Sequence, residues 1–177
     1  MKIAQYIILL INSTVYSGKP SEEQVMMYIA ASDIQHKEIV AAQAIAETMH
    51  MRCTNCSMQF NNLFGFRVYG YLKFKHWTSS IDYYEQWQEK RYKDGEDYYA
   101  FLKRVRYAQS ESYSKLIRSV EAYVRKRYRT IFAAAEYLSN AVSSWEEFQR
   151  NLRITIFAKA LDLKVSIQAR FVAALPD

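Results

Sequence analysis

The sequence is poor in the residues that interrupt helices. Among 177 residues there are four glycines and two prolines. So few leave little room for a fold of many tight turns and favour a helix-rich one. Cysteine is nearly absent too: Cys53 and Cys56 form a single C-x-x-C. Without a second such pair, a four-cysteine zinc site is excluded. A thioredoxin-like redox site would need a βαβ context, and none is present. A small-loop disulfide suits the pair in an exported chain. In the cytosol it would suggest a metal or redox pair, with His36 or His50 as the further ligand. No cofactor and no metal is expected. Beyond the N-terminus no segment is long and apolar enough to span a bilayer. Acidic residues are missing from one long window. From Thr48 to Ile81 there is no Asp or Glu, while Arg52, Arg67, Lys73 and Lys75 lie within it.

What is present points to a core and to an anionic partner. Half the residues are hydrophobic, enough for one buried core in one domain, or one domain with an appendage. Fifteen tyrosines and three tryptophans supply rings that fill cores or stack on sugars and bases. The 24 Lys and Arg exceed the 18 Asp and Glu, for a net charge of +6. That balance suits nucleic acid, an acidic envelope polymer or a membrane surface, without choosing among them. Residues 1–17 pair Lys2 with a short apolar run, Ile3 to Ile11, and end in small residues at Val15 and Ser17. This is the pattern of a secretory signal, so export to the periplasm, envelope or medium is expected. The alternative is a buried N-terminal strand or helix.

Helix signals recur along the chain. Ser21-x-x-Gln24 reads as a capping box before Val25, Tyr28 and Ile29. A second helix is expected from Lys37 to Thr48. Only Gln43 is polar between Ile39 and Ala46, so this helix is buried on most sides. Val40, Gln43, Ala44 and Glu47 share one stripe of it. Alternation around Tyr69-Gly70, over Phe66–Val68 and Leu72–Lys75, predicts a small β-hairpin. Ser79-x-x-Asp82 reads as the cap of a third helix reaching Tyr92 and stopped by Asp94-Gly95. Tyr98, Phe101, Leu102 and Val105 mark a short fourth. Ser110 or Ser112 opens a fifth, through Leu116, Val120, Val124 and Tyr128. Ser143-x-x-Glu146 reads as the start of a last helix with Trp145, Phe148, Leu152 and Ile156.

Glu47 is the candidate that carries chemistry. It stands in the last turn of a nearly apolar helix. Burial disfavours its charged form, and so does the negative end of the helix dipole. Both raise its proton affinity, which is what a general acid for glycoside cleavage requires. The plainer reading is an exposed side chain at a frayed helix end. The basic, aromatic stretch that follows, with Phe66, Tyr69, Tyr71, Phe74 and Trp77, suits a groove for an acidic sugar chain. It also suits single-stranded nucleic acid, or a hairpin that is simply solvated.

Four stretches, in order, resemble a known family. Ala42-Gln43-Ala44-Ile45-Ala46-Glu47-Thr48 is similar to the "AQAALES" helix of glycoside hydrolase family 73, the bacterial N-acetylglucosaminidase domain. Asn61-Asn62-Leu63-Phe64-Gly65-Phe66 is similar to its "NNLFGI" signature. Phe74-x-x-Trp77-x-x-Ser80-Ile81-x-x-Tyr84 resembles the aromatic-serine pattern that follows. Tyr107-Ala108-x-x-x-x-Tyr113-x-x-Leu116 resembles its "YATDPxYAxKL" element. Together they span roughly residues 22 to 120.

The resemblance implies a mainly α (α+β), lysozyme-like helical domain with a small β-hairpin lobe. It would run from 18 to 120. A C-terminal helical extension over 121–177 lies outside the resemblance and could pack back on this domain, pair with another chain or hold a protein partner. It implies hydrolysis of the β-1,4 bond after N-acetylglucosamine in a peptidoglycan glycan strand. Glu47 would be the general acid, and Tyr107 would line the catalytic centre. Asn62, Phe64 and Gly65 would shape the cleft floor. Tyr71 and Trp77, from the basic, aromatic stretch itself, are candidate substrate-binding rings. Tyr113 would pack its helix. His50 and His76 are expected to be structural.

The chain departs from the family at two points. Where members read Glu-Ser/Thr-Gly-Trp-Gly, this sequence reads Glu47-Thr48-Met49-His50-Met51. The loop after the acid must differ, and Cys53 and Cys56 are candidates to pin it. The second acid that many members carry in the β-lobe has no counterpart. Asp82 or Glu85 could replace it, the substrate's acetamido group could make it unnecessary, or the protein could bind glycan without cutting it. A basic nucleic-acid binder is a further alternative, although no nucleic acid is expected on the family reading.

Overall fold

The computed structural model of the chain describes residues 18–107, 110–147 and 149. The expected signal segment, Ala108 of the tyrosine element, and Phe148, Leu152 and Ile156 of the tail lie outside the described residues. The chain divides into two compact units after Glu136. The first is mainly helical: α1 (Glu22–Ala31), α2 (Lys37–Thr48), α3 (Trp77–Glu89), α4 (Tyr98–Arg104) and α5 (Glu111–Arg127), with a 3₁₀ turn at Ser57–Phe60. No helix among the described residues is long and apolar enough to cross a membrane.

α2 is the centre of the unit. Its residues from Ile39 to Ile45 are all buried. Three alanines in that run keep it slim, so neighbouring helices approach closely on several sides. α5 packs along it most extensively, α1 lies against another side, and α3 rests on α1. Burying each large side chain, such as Val40 or Ile45, stabilises the unit by about 1.5–3 kcal/mol. Trp77, Ile81 and Tyr84 of α3, Tyr98, Phe101 and Leu102 of α4, and Ile117 and Val124 of α5 complete the core.

Local signals explain most helix ends. The capping box of α1 is formed: Gln24 N donates to Ser21 Oγ at 3.2 Å, and Ser21 N to Gln24 Oε1 at 2.8 Å. Ser110 Oγ accepts from Tyr113 N and caps α5. Asp97 caps α4 by accepting from Ala100 N at 2.8 Å.

Four expectations need correction. α3 starts at Trp77 with His76 in the cap position, so Ser79 and Asp82 lie inside it. Trp77 is drawn into the core, and that fixes the start earlier than the serine suggests. On α5 the buried positions are Ile117 and Val124, whereas Leu116 is half exposed. In the second unit, residues 137–147 are helical and Ser143 lies within the helix. Its hydroxyl donates back to Ser139 O at 3.0 Å and opens nothing. The fourth concerns the hairpin. No β-strand forms among the described residues, and Arg67 and Tyr71 make one isolated antiparallel bridge. Asn62 does the work of a ladder there. Its Nδ2 donates to Phe66 O at 2.9 Å and Leu72 O at 3.0 Å, while its Oδ1 accepts from Phe66 N at 3.1 Å.

Candidate active site

Glu47 ends α2 with no basic residue in that turn. It is half-buried, and its two oxygens have different company. Oε1 accepts from the Tyr113 hydroxyl at 3.1 Å. Oε2 lies where a Cβ on Gly65 would approach to 3.0 Å. Gly65 also has φ +67, which glycine adopts freely, and a Cβ there would press on the Glu47 carboxyl group. Burial pushes the Glu47 carboxyl above its ordinary value, outweighing the Tyr113 bond and the nearby Arg67 charge, which pull the other way. The carbonyl end of α2 adds to the upward push.

The chain leaves Glu47 through an unusual turn. Met49, His50 and Met51 all take left-handed backbone, with φ of 49, 58 and 61. None is a glycine, although each such residue carries a steric cost. Buried Thr48 holds the turn: its Oγ1 donates to Ala44 O at 2.6 Å and accepts from Met51 N at 3.2 Å. His50 Nδ1 meets Glu22 Oε2 at 2.8 Å, tying the turn to α1. The disulfide between Cys53 and Cys56 follows. The loop after Glu47 is therefore pinned by Thr48, His50 and the cysteine pair. His76 sits at the start of α3, its Nδ1 3.2 Å from Thr78 Oγ1.

The two tyrosines of the 107–113 element make different contacts. Tyr107 donates to Phe64 O at 2.6 Å and so fixes the backbone just before Gly65. Tyr113 supplies the hydroxyl on the carboxyl group. Of the expected cleft residues, Gly65 lies against Glu47. Asn62 and Phe64 are buried and hold the loop from inside. Tyr71 is half-buried beneath the Arg67 guanidinium, which stands 4.0 Å above its ring and donates to its hydroxyl. Trp77 is only 1% exposed and packs edge-on to Tyr28, so it offers no face to a ligand. The exposed rim of the loop is Arg67, Val68 and Tyr69, with Lys73 and Lys75 exposed further on.

Among the described residues, no second carboxylate joins the site. Asp82 accepts from the Tyr28 hydroxyl at 2.9 Å, and Glu85 from Asp33 N at 3.2 Å. Besides burial, Tyr113 and Arg67 act on the Glu47 carboxyl, and Tyr107 is close enough to feel its charge. Nor, among them, do three or more His, Cys, Asp or Glu gather as metal ligands.

Behind the carboxyl lies a polar group that its sequence position singles out. Gln43, one turn before Glu47, is fully buried and accepts from the Tyr84 hydroxyl at 2.7 Å. Its Nε2 is buried and has no hydrogen-bond partner. A buried donor left in that state costs about 1–3 kcal/mol. The signal for Gln43 was its isolation in an apolar run. Nothing local marked Tyr113, 66 positions from Glu47.

No protein-family model matches the chain, and comparisons with curated proteins and with solved structures return no match.

Proposed function

We propose that the protein is a peptidoglycan hydrolase, an endo-β-N-acetylglucosaminidase of lysozyme-like organisation with Glu47 as its general acid. One observation carries the reading. Glu47 is a half-buried carboxyl at a helix end of its own sign, with raised proton affinity, one tyrosine on Oε1 and a bare glycine beside Oε2. The four ordered motifs and the basic rim of Arg67, Lys73 and Lys75 support it, since a wall glycan carries carboxylates.

The chemistry needs one protein acid. Protonated Glu47 gives its proton to the glycosidic oxygen as the bond to C1 breaks, and the leaving chain departs as an alcohol. The substrate's acetamido oxygen supplies the electron pair to C1 and closes a cyclic oxazolinium ion. Water then adds to C1 and reopens the ring. Its proton passes to the Glu47 carboxylate, which Tyr113 holds in place meanwhile. One water is consumed per bond and the acid is restored. Attack from opposite faces in turn retains the anomeric configuration.

The absence of a second carboxylate beside Glu47 favours one other reading, a module of the same fold that binds glycan without cutting it. Digestion of purified peptidoglycan, with fragments analysed by mass spectrometry, separates the two. The hydrolase yields new N-acetylglucosamine reducing ends, and Glu47→Gln lowers their rate by about 10²–10⁴-fold. Intact sacculi that still retain the wild-type protein establish the binding module. Sacculi neither cut nor bound, with salt-sensitive oligonucleotide binding instead, would point to nucleic acid.

A further inference from the structure

The sides of α3 differ in chemistry. Its acids gather on one: Asp82 and Glu85 accept from Tyr28 and from the Asp33 backbone, and Glu85 and Glu89 line a pocket with Asp33 and Asp94. On another side Tyr83 and Trp87 stand one turn apart, about 6 Å along the axis. Arg91 follows them just past the helix end, its guanidinium 5.6 Å above the Trp87 ring and donating to Trp87 O at 3.3 Å. That side chain rests on a ring and not on a carboxylate. Further rings join from the loop and from the segment before α5. The Phe66 centroid lies 4.9 Å from Tyr83 and 5.7 Å from Trp87, and Tyr107 lies 6.0 Å from Phe66 and 5.7 Å from Trp87. Phe74 extends the row past Tyr83, at 5.6 Å. All five rings keep part of their surface in solvent, Tyr83 the most, at 37%. The row starts at the acid, because Tyr107 lies 6.3 Å from the Tyr113 ring, whose hydroxyl donates to Glu47.

We infer that this row is a binding track that leads the glycan strand away from Glu47, with Tyr83 and Trp87 as stacking rings and Arg91 as the partner of a sugar-borne carboxylate. The C–H faces of a pyranose are apolar and lie flat on an aromatic ring, while its hydroxyls stay in water. Rings 5–6 Å apart in a line suit successive sugars of one strand. A muramic unit brings the carboxylate that the guanidinium lacks. The inference rests on the proposed function for the identity of the ligand. Tyr83 and Trp87 then take the part that Trp77, sealed in the core, does not fill.

Calorimetry on the full chain carrying Glu47→Gln, so that no bond is cut during the measurement, tests it with two soluble ligands. One is glycan strands freed of stem peptides, with a carboxylate on each muramic unit. The other is neutral chito-oligosaccharides of the same length. Tyr83→Ala should weaken both by roughly tenfold. Arg91→Gln should weaken the charged strand by about threefold and leave the neutral one unchanged. Trp87 also packs on Phe101, so its removal disturbs the core, and the exposed Tyr83 carries the test. Unchanged affinity in folded Tyr83→Ala overturns the inference, as does an equal loss on both ligands in Arg91→Gln. So does a parent that binds neither sugar, or that binds oligonucleotides instead. Cleavage is read separately, on sacculi with the wild-type protein. Sacculi cut by the wild type, with Tyr83→Ala binding as its parent does, would refute the track and keep the hydrolase. Sacculi left intact, with both losses of affinity observed, would refute the hydrolase and keep the track.

Discussion

Two half-buried glutamates stand at opposite kinds of helix end, and they are treated in opposite ways. Glu22 opens α1, where backbone N–H groups welcome a negative charge. It accepts from Tyr128 at 2.6 Å, from Tyr123 at 3.0 Å and meets His50 at 2.8 Å. Burial pushes its proton affinity up, but these bonds outweigh it, and the carboxyl ends below its ordinary value. Glu47 closes α2, where the carbonyls repel it. It has one tyrosine, and its carboxyl ends above that value. The start of α1 obeys every local rule, with a capping box and acids in its first turn. The end of α2 breaks three: it has an acid, no base, and left-handed backbone without glycine. Stable folds tolerate such conflicts where a site needs them.

The contrast can be broken from either side. The largest effect expected is the loss of glycan cleavage in Glu47→Gln described above. Next is Glu22→Ala, which leaves Tyr128 and Tyr123 without their acceptor. It should destabilise the protein by about 2–3 kcal/mol at pH 7 in urea unfolding. Because the folded Glu22 value is depressed, its contribution is present above the ordinary value of 4.5 and is lost as pH falls through the folded value. The cost of the mutation should therefore shrink in acid.

Gly65→Ala should cost about 1–2 kcal/mol for its left-handed backbone, and it should lower cleavage by pushing on Glu47 Oε2. Both are read from one preparation, by melting and by digestion. Glu47→Gln should have the opposite sign to Glu22→Ala in stability. A raised folded value means that wild-type stability falls as pH rises from 4.5 through that value. Removing the charge should stabilise the fold at pH 7, and the gain should vanish near pH 4, where the wild-type carboxyl is itself protonated. Smallest is Met49→Gly, at an exposed left-handed position, which should stabilise the fold by about 0.5–1 kcal/mol in thermal melts.

Much of the helical frame was legible because its signals are local. Ser21 and Gln24 cap one another three residues apart, and the apolar run with Gln43 gave α2 its bounds, Lys37 to Thr48. Where a local signal had a rival, packing decided. Ser79 looked like a cap, yet burial of Trp77 starts α3 three residues earlier. Alternation promised a hairpin, yet one isolated bridge forms, and the Asn62 side chain ties both arms of the turn. For the site, the same limit applies. The position of Glu47 at a helix end follows from its own neighbours, as does the isolation of Gln43. That Tyr113 and not Tyr107 reaches the carboxyl depends on how α5 lies along α2, and spacing within one element does not contain that. Trp77 and Asn62 have residue types suited to a cleft, but type alone does not distinguish a wall from a core.

The most direct measurement is a single NMR titration that follows the side-chain carboxyls of Glu22 and Glu47 together in the folded wild type. The account expects them to part, Glu47 taking its proton above the ordinary 4.5 and Glu22 below it. A Glu47 midpoint at or below that of Glu22 would contradict it, because no proton would then be held where the reaction needs one.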